Sequence, residues 1–231
     1  MKTIGLIGGM SWESTLEYYR LINQGIRARL GGLHSAHILM ESYDFATIAD
    51  LQHAGRWDQT AAILAGSARR LEAAGADLLL ICTNTMHKVA DQVQDSVIIP
   101  LLHIADPTGD ALRQSGISRV GLLGTAFTME DGFMQERLAA RFGLEVLVPE
   151  AEDRRTVHRI IYDELCQGLT RESSRAAYRE VMARLVDRGA QGIVFGCTEI
   201  GLLVGPEDAT VPVFNTTRLH CEGAIAAALA G

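Results

Sequence analysis

The sequence has no basic cluster, no cysteine pair at C-x-x-C spacing and no long apolar run, and each absence removes a class of protein. With 21 basic and 28 acidic side chains in 231 residues, the net charge is −7. Nucleic-acid binding calls for a basic patch, which this charge pattern does not supply. The cysteines stand singly at 82, 166, 197 and 221, which disfavours zinc ribbons and thioredoxin-like pairs. No run of about 18 apolar residues occurs, so no membrane span is expected. The start, Met1-Lys2-Thr3-Ile4-Gly5-Leu6, looks like a charged segment before an apolar one, but glycines and then Trp12-Glu13 break it too early for a signal peptide. A reducing cytoplasm with free thiols is the expected setting. Gly5, Gly8 and Gly9 lack G-x-G-x-x-G spacing, and no G-x-x-x-x-G-K-S/T is present, so a tight strand–helix turn is the better reading. His87 has no second ligand at metal spacing, and no metal site is expected.

What is present is 48% apolar residues, enough for a full core without staples, arranged as alternating strands and helices. Short apolar runs at Thr3–Ile7, Ala36–Glu41, Asp77–Ile81, Val97–Ile99, Arg119–Gly124, Leu144–Val148, Ile193–Phe195 and Val211–Phe214 read as strands. Trp12 to Leu30, with Leu16, Tyr19, Ile22 and Ile26 at helical spacing, reads as an amphipathic helix stopped by Gly31-Gly32. Helices are also expected over 58–74, 104–115, 153–167, 171–188 and 216–229. Such alternation implies parallel sheets covered on both faces.

The chain also repeats itself. Ile4-Gly5-Leu6-Ile7-Gly8 matches Val120-Gly121-Leu122-Leu123-Gly124 at an offset of 116, and Arg70-Leu71 with Gly75-Ala76 matches Arg184-Leu185 with Gly189-Ala190 at an offset of 114. This predicts an α/β protein of two pseudo-symmetric three-layer domains with mostly parallel sheets: 1–100 with 209–231, and 101–208. The ligand is expected in a cleft between the two domains, beyond the carboxyl ends of their strands.

The 114-residue offset superposes Thr83 on Cys197 and Cys82 on Gly196. The two strand-end turns, Cys82-Thr83-Asn84-Thr85-Met86-His87 and Gly196-Cys197-Thr198-Glu199-Ile200, therefore offer one hydroxyl and one thiol at equivalent places. Delivered from opposite sides, an acid and a base invert a carbon. A thiol suits the task because its pKa, about 8.5 unperturbed, is lowered by positive surroundings or helix N-termini. Asn84, Thr85 and Thr198 are candidate donors to a substrate carboxylate, with Met10 and Ser11 supplying a backbone turn and Glu199 a further contact. Against this, an apolar-stretch cysteine is most often a small buried hydrophobe. That reading is taken for Cys82, Cys166 and Cys221.

G-L-I-G-G-M-S-W-E-S-T at 5–15, C-T-N-T-M-H-K at 82–88 and G-C-T-E-I at 196–200 resemble the aspartate/glutamate racemase family, including its L-aspartate/glutamate-specific or broad-specificity amino-acid racemase branch. The resemblance covers the whole chain. It implies racemisation without pyridoxal phosphate or any other cofactor, a site between two domains, and a homodimer. The family's first motif reads Cys-Asn-Thr, and Thr83 stands where that cysteine belongs. The resemblance makes Cys197 the base for an L-amino acid and Thr83 the group acting from the other side. It also places Leu165 where aspartate racemases carry a lysine, and Gln52 near a second basic position. Strict aspartate specificity is then replaced by a broader expectation that includes homoserine. Two competing readings stay open: a single-cysteine decarboxylase or isomerase of a dicarboxylic acid, and a non-catalytic amino-acid-binding protein.

Overall fold

The computed structural model describes residues 1–230. The chain divides into two compact units, residues 1–104 with 220–231, and residues 105–219.

In the first unit, β1 (Ile4–Gly8), α1 (Trp12–Leu30), β2 (Ile38–Ser42), α2 (Phe45–His53), α3 (Trp57–Ala73), β3 (Leu78–Ile81) and α4 (Ala90–Gln94) build a parallel sheet of order β2-β1-β3. Strand alternation divides its apolar residues between two faces. Ile7, Leu79 and Ile81 pack with Ile48, Leu64, Ala68 and Val93, while Ile4, Leu6, Leu78 and Leu80 pack with Tyr18, Ile22, Ile26 and Ile225. Ser11 caps α1 by accepting the Ser14 N–H at 3.2 Å, and Gly31 ends it.

The second unit contains α5 (Ala105–Gln114), β4 (Arg119–Gly124), α6 (Ala126–Glu130), α7 (Phe133–Phe142), β5 (Glu145–Leu147), α8 (Ala151–Asp163), α9 (Glu172–Asp187), β6 (Ile193–Gly196), α10 (Ile200–Leu203) and β7 (Val213–Asn215). Its parallel sheet runs β5-β4-β6-β7. The unit boundary falls inside the last helix, α11 (Thr216–Leu229).

The repeat has a physical cause. At the end of α3, Gly75 N–H donates to Glu72 O (2.9 Å) and Ala76 N–H to Leu71 O (3.0 Å); at the end of α9, Gly189 donates to Val186 O (2.8 Å) and Ala190 to Leu185 O (3.0 Å). Both ends are Schellman stops, which require a positive φ. Gly75 and Gly189 supply it, at 97° and 96°. The strands that follow pair in the same register: Gly5 opposite Leu79 in one sheet, Gly121 opposite Ile193 in the other.

Three expectations are corrected. Leu16 and Tyr19 are exposed; the buried stripe of α1 is Ser14, Tyr18, Ile22 and Ile26. Val97–Ile99 is not a strand. Ile98 is 94% exposed, the N–H groups of Ile98 and Ile99 go to Glu72 Oε1, and it is Leu101, beyond this segment, that bridges to Leu79 of β3. The closing strand, placed in the first domain with residues 209–231, instead pairs with β6, because the Ile193 N–H bonds Pro212 O and the ladder continues through Phe195 and Asn215.

Replacing Gly75 or Gly189 by Ala is expected to cost about 1–2 kcal/mol each, because a Cβ is disfavoured at positive φ. Urea unfolding of the two single variants checks this.

Candidate active site

The strand-end turn of the first unit is held from several directions. Cys82 N–H donates to Ile7 O at 2.9 Å, and the Ser14 hydroxyl on α1 donates to Cys82 O at 2.8 Å. Alternation sends the Cys82 side chain into the apolar layer with Ile4, Leu6 and Cys221, where burial pushes its thiol far up. Thr83, one residue on, is only half-buried. A 3₁₀ turn, Thr85–Val89, follows directly.

Two side-chain amides in this unit are buried without being satisfied. Asn84 is 3% exposed, and neither its Oδ1 nor its Nδ2 has a hydrogen-bond partner. Gln52 on α2 is equally buried. Its Nε2 donates to the soft acceptor Met86 Sδ at 3.0 Å, and its Oε1 has none. An unmet buried polar group costs about 1–3 kcal/mol, so two such amides need an explanation beyond folding. Met10 and Ser11 are buried at the turn after β1. Part of the Ser11 role is structural, since its Oγ caps α1 and its carbonyl accepts the Thr15 hydroxyl at 2.9 Å.

In the second unit Cys197 follows β6. It packs among Leu165, Tyr178, Phe195 and half-buried Cys166. Its thiol donates to Glu199 Oε2 at 2.9 Å, and Glu199 is itself buried. Burial first, and the Glu199 carboxylate second, push the thiol well above its ordinary value. This reverses the expectation of a lowered pKa. The four-residue α10 that follows Cys197 offers no long helix dipole to offset this. Thr198 shares a hydrogen bond with Thr217 at 2.9 Å, and the Thr216 hydroxyl donates to Phe195 O at 2.8 Å. Leu165 is 1% exposed in the apolar cluster and brings no cation.

The pairing registers carry the equivalence of the two turns into the fold. Ile7 lies opposite Ile81 as Leu123 lies opposite Phe195, so Cys82 and Thr83 match Gly196 and Cys197. Glu199 was placed from the sequence among substrate contacts; its bond to the thiol came only with the folded turn. Of three buried histidines that meet in the fold, sequence reasoning weighed His87 and rejected it as a metal ligand, and it missed His103 and His220. His87, His103 and His220 come from distant parts of the sequence and lie together, with His87 ring centroids 4.7 Å from His103 and 5.5 Å from His220. Among the described residues, no group of three His, Cys, Asp or Glu is arranged to hold a metal, and no helix is long and apolar enough to cross a membrane.

The Asp/Glu/Hydantoin racemase family model matches residues 7–224. The chain therefore belongs to this family, isomerases that act on amino acids without pyridoxal phosphate. Among solved structures it is similar to a candidate Asp/Glu racemase from Yersinia pestis, 54% identical over 99% of this chain and 100% of that one, with a TM-score of 0.94. It is also similar to an aspartate racemase homologue from Pyrococcus horikoshii, 33% identical over 99% of both chains, with a TM-score of 0.86. A broad-specificity amino-acid racemase, RacX of Bacillus subtilis, is 21% identical over 98% of each chain.

Buried His220 has its pKa lowered to about 3, mainly by burial and then by His87. A base with a depressed folded pKa is protonated first in the unfolded chain, so its stabilising contribution is complete above about pH 6.5 and drains as pH falls toward 3. Between about pH 7.5 and about pH 5 the parent should lose about 2 kcal/mol more unfolding free energy than His220→Gln, measured by urea titration at both pH values.

Proposed function

We propose that the chain racemises an amino acid by two-sided proton transfer at the α-carbon, with Cys197 acting on the L-enantiomer and Thr83 on the opposite face. The observation that carries the reading is the buried Cys197–Glu199 hydrogen bond at 2.9 Å, at the position equivalent to Thr83. A thiol held protonated is not yet a base. Glu199 supplies the missing step by taking the thiol proton, so that sulfur can take the α-proton. The carbanion then receives a proton from the Thr83 hydroxyl, and solvent returns a proton to Thr83 and takes one from Glu199. In the reverse direction the same groups exchange roles.

Asn84, Thr85 and Thr198 are assigned to the substrate's carboxylate and amino groups, with the Met10-Ser11 turn beside them. Asn84 has the strongest support, because its buried amide is unsatisfied at both ends. Gln52 is assigned to the substrate side chain. Its open Oε1 suits a hydrogen-bonding side chain, and apolar Leu165 supplies no counter-charge for a second carboxylate. Aspartate and glutamate therefore share the candidate list with neutral polar amino acids such as homoserine.

The reading includes a cytoplasmic homodimer. The four cysteines are free thiols. Trp12, Leu16 and Tyr19 form one exposed stripe on α1, at 64%, 57% and 49%. Helix α1 carries Glu13 in its first turn and Arg27 and Arg29 in its last, so two antiparallel copies would pair opposite charges across a two-fold axis. Light scattering should give a dimer mass for the parent and a monomer for the double variant Leu16→Asp, Tyr19→Asp.

For activity, both enantiomers of aspartate, glutamate, homoserine and other amino acids are incubated with the enzyme and separated chirally. Cys197→Ala should abolish racemisation, and Glu199→Gln should lower kcat by about 10²-fold. Enantiomers have equal free energy in water, so kcat/KM must be the same in both directions. Unequal values from initial rates on pure enantiomers would show that the reaction is not simple racemisation.

A further inference from the structure

Thr83 is held by side chains on both sides of its Cα. The carbonyl before it, Cys82 O, accepts the Ser14 hydroxyl at 2.8 Å. Its own carbonyl lies 2.8 Å from His87 Nδ1. A carbonyl can only accept, so Nδ1 carries the proton and His87 donates. Both peptide planes flanking Thr83 are thereby fixed. The main-chain N–H of His87 bonds Asn84 O instead, at 3.0 Å, leaving the Thr83 carbonyl to the imidazole.

The imidazole is itself held. His87 is 3% exposed and packs edge-on to His103 and His220. His220 is fully buried between Leu102 O, 2.7 Å from Nε2, and Tyr18 Oη, 2.8 Å from Nδ1. By the same acceptor logic Nε2 carries the proton, and Tyr18 donates to Nδ1. Tyr18 and Ser14 lie one turn apart on α1. One helix face thus reaches the Thr83 turn directly through Ser14, and through Tyr18 and His220 it braces the ring that clamps Thr83.

The other half of the repeat has no such device. At the 114-residue offset His87 corresponds to Gly201. Gly201 is exposed and has no side chain with which to reach the Cys197 carbonyl. The Cys197 carbonyl takes a main-chain bond from Ile200 N–H, at 3.3 Å. The clamp occurs only where the proton carrier is a hydroxyl. A threonine is intrinsically much the poorer of the two groups, and geometry is the lever left to it. Misplacement by about 1 Å is enough to lose about 10²-fold in rate.

We propose that His87 is a positioning residue for Thr83, holding its carbonyl so that the hydroxyl is aimed for proton transfer; this rests on the two-sided racemase reading above. The two faces can be assayed separately with the enantiomers of 3-chloroalanine. Removal of the α-proton followed by loss of chloride gives an enamine that water converts to pyruvate and ammonia, so each enantiomer reports one base. In His87→Ala, pyruvate formation from the D-enantiomer should fall tenfold or more, while that from the L-enantiomer stays within about twofold. His87→Asn, which places an amide N–H near the Nδ1 position, should restore most of the D-side rate. Equal losses on both enantiomers, no loss at all, or failure of His87→Asn to restore would overturn the proposal.

A second measurement does not depend on turnover. The Thr83 methyl resonance, assigned by its loss in Thr83→Ser, should be single and sharp in the parent and in His87→Asn, and broadened or split in His87→Ala. An unchanged signal in His87→Ala overturns the clamp. If the parent processes neither enantiomer and racemises no amino acid, the catalytic reading falls, and the methyl signal alone decides whether His87 orders Thr83.

Discussion

The close approach of the central strand to its neighbour is the constraint from which the rest follows. A Cβ on Gly5 would sit 2.6 Å from Leu79 Cδ2, and one on Gly121 would sit 2.9 Å from Ile193 Cδ1. Glycine at each place leaves room for the Leu79 and Ile193 side chains that pack across the strands in this register. Because side chains alternate along a strand, a slip of one residue would turn the strand-end residue to the other face. The register therefore decides that Thr83, and not Cys82, matches Cys197. The chemistry assigned to the two turns depends on a steric fact several residues upstream.

What the sequence made legible was whatever local rules govern. The helices at Trp12–Leu30 and Thr216–Leu229 were bounded correctly, the first because Ser11 and Gly31 mark its ends. The duplication was visible because its anchors are backbone requirements: a Schellman glycine tolerates little substitution, and neither does a glycine on a crowded strand. Sequence reasoning failed where tertiary packing decides. Helical spacing put Leu16 and Tyr19 on the buried face with Ile22, yet the rotation of α1 on its sheet selects Tyr18. Val97–Ile99 has strand composition, but the chain reaches the edge of β3 only at Leu101, and Glu72 takes the Ile98 and Ile99 amides. The histidine trio left no local trace, since its members stand far apart at 87, 103 and 220 and only folding brings them together.

The two halves of the duplication have also diverged in how they treat their key residue. On one side a carboxylate two residues away engages a thiol directly, through a contact made inside a single turn. On the other, a network spread over α1, the 3₁₀ turn and α11 leaves the hydroxyl itself alone and orders the backbone that carries it. The asymmetry fits the difference between the groups. A thiol can be tuned by a nearby charge, whereas an alcohol responds little to such tuning and depends on placement.

The state of Cys197 at rest bears on how the protein ages in the cell. Electrophiles and peroxides attack the thiolate, and the protonated form is far less reactive. A thiol that burial and an adjacent carboxylate keep protonated is shielded from alkylation and over-oxidation for as long as it keeps its proton. Enzymes that hold a low-pKa cysteine in readiness carry a standing chemical vulnerability. If Cys197 acts as proposed, reactivity is withheld between turnovers, which favours durability over the fastest first step.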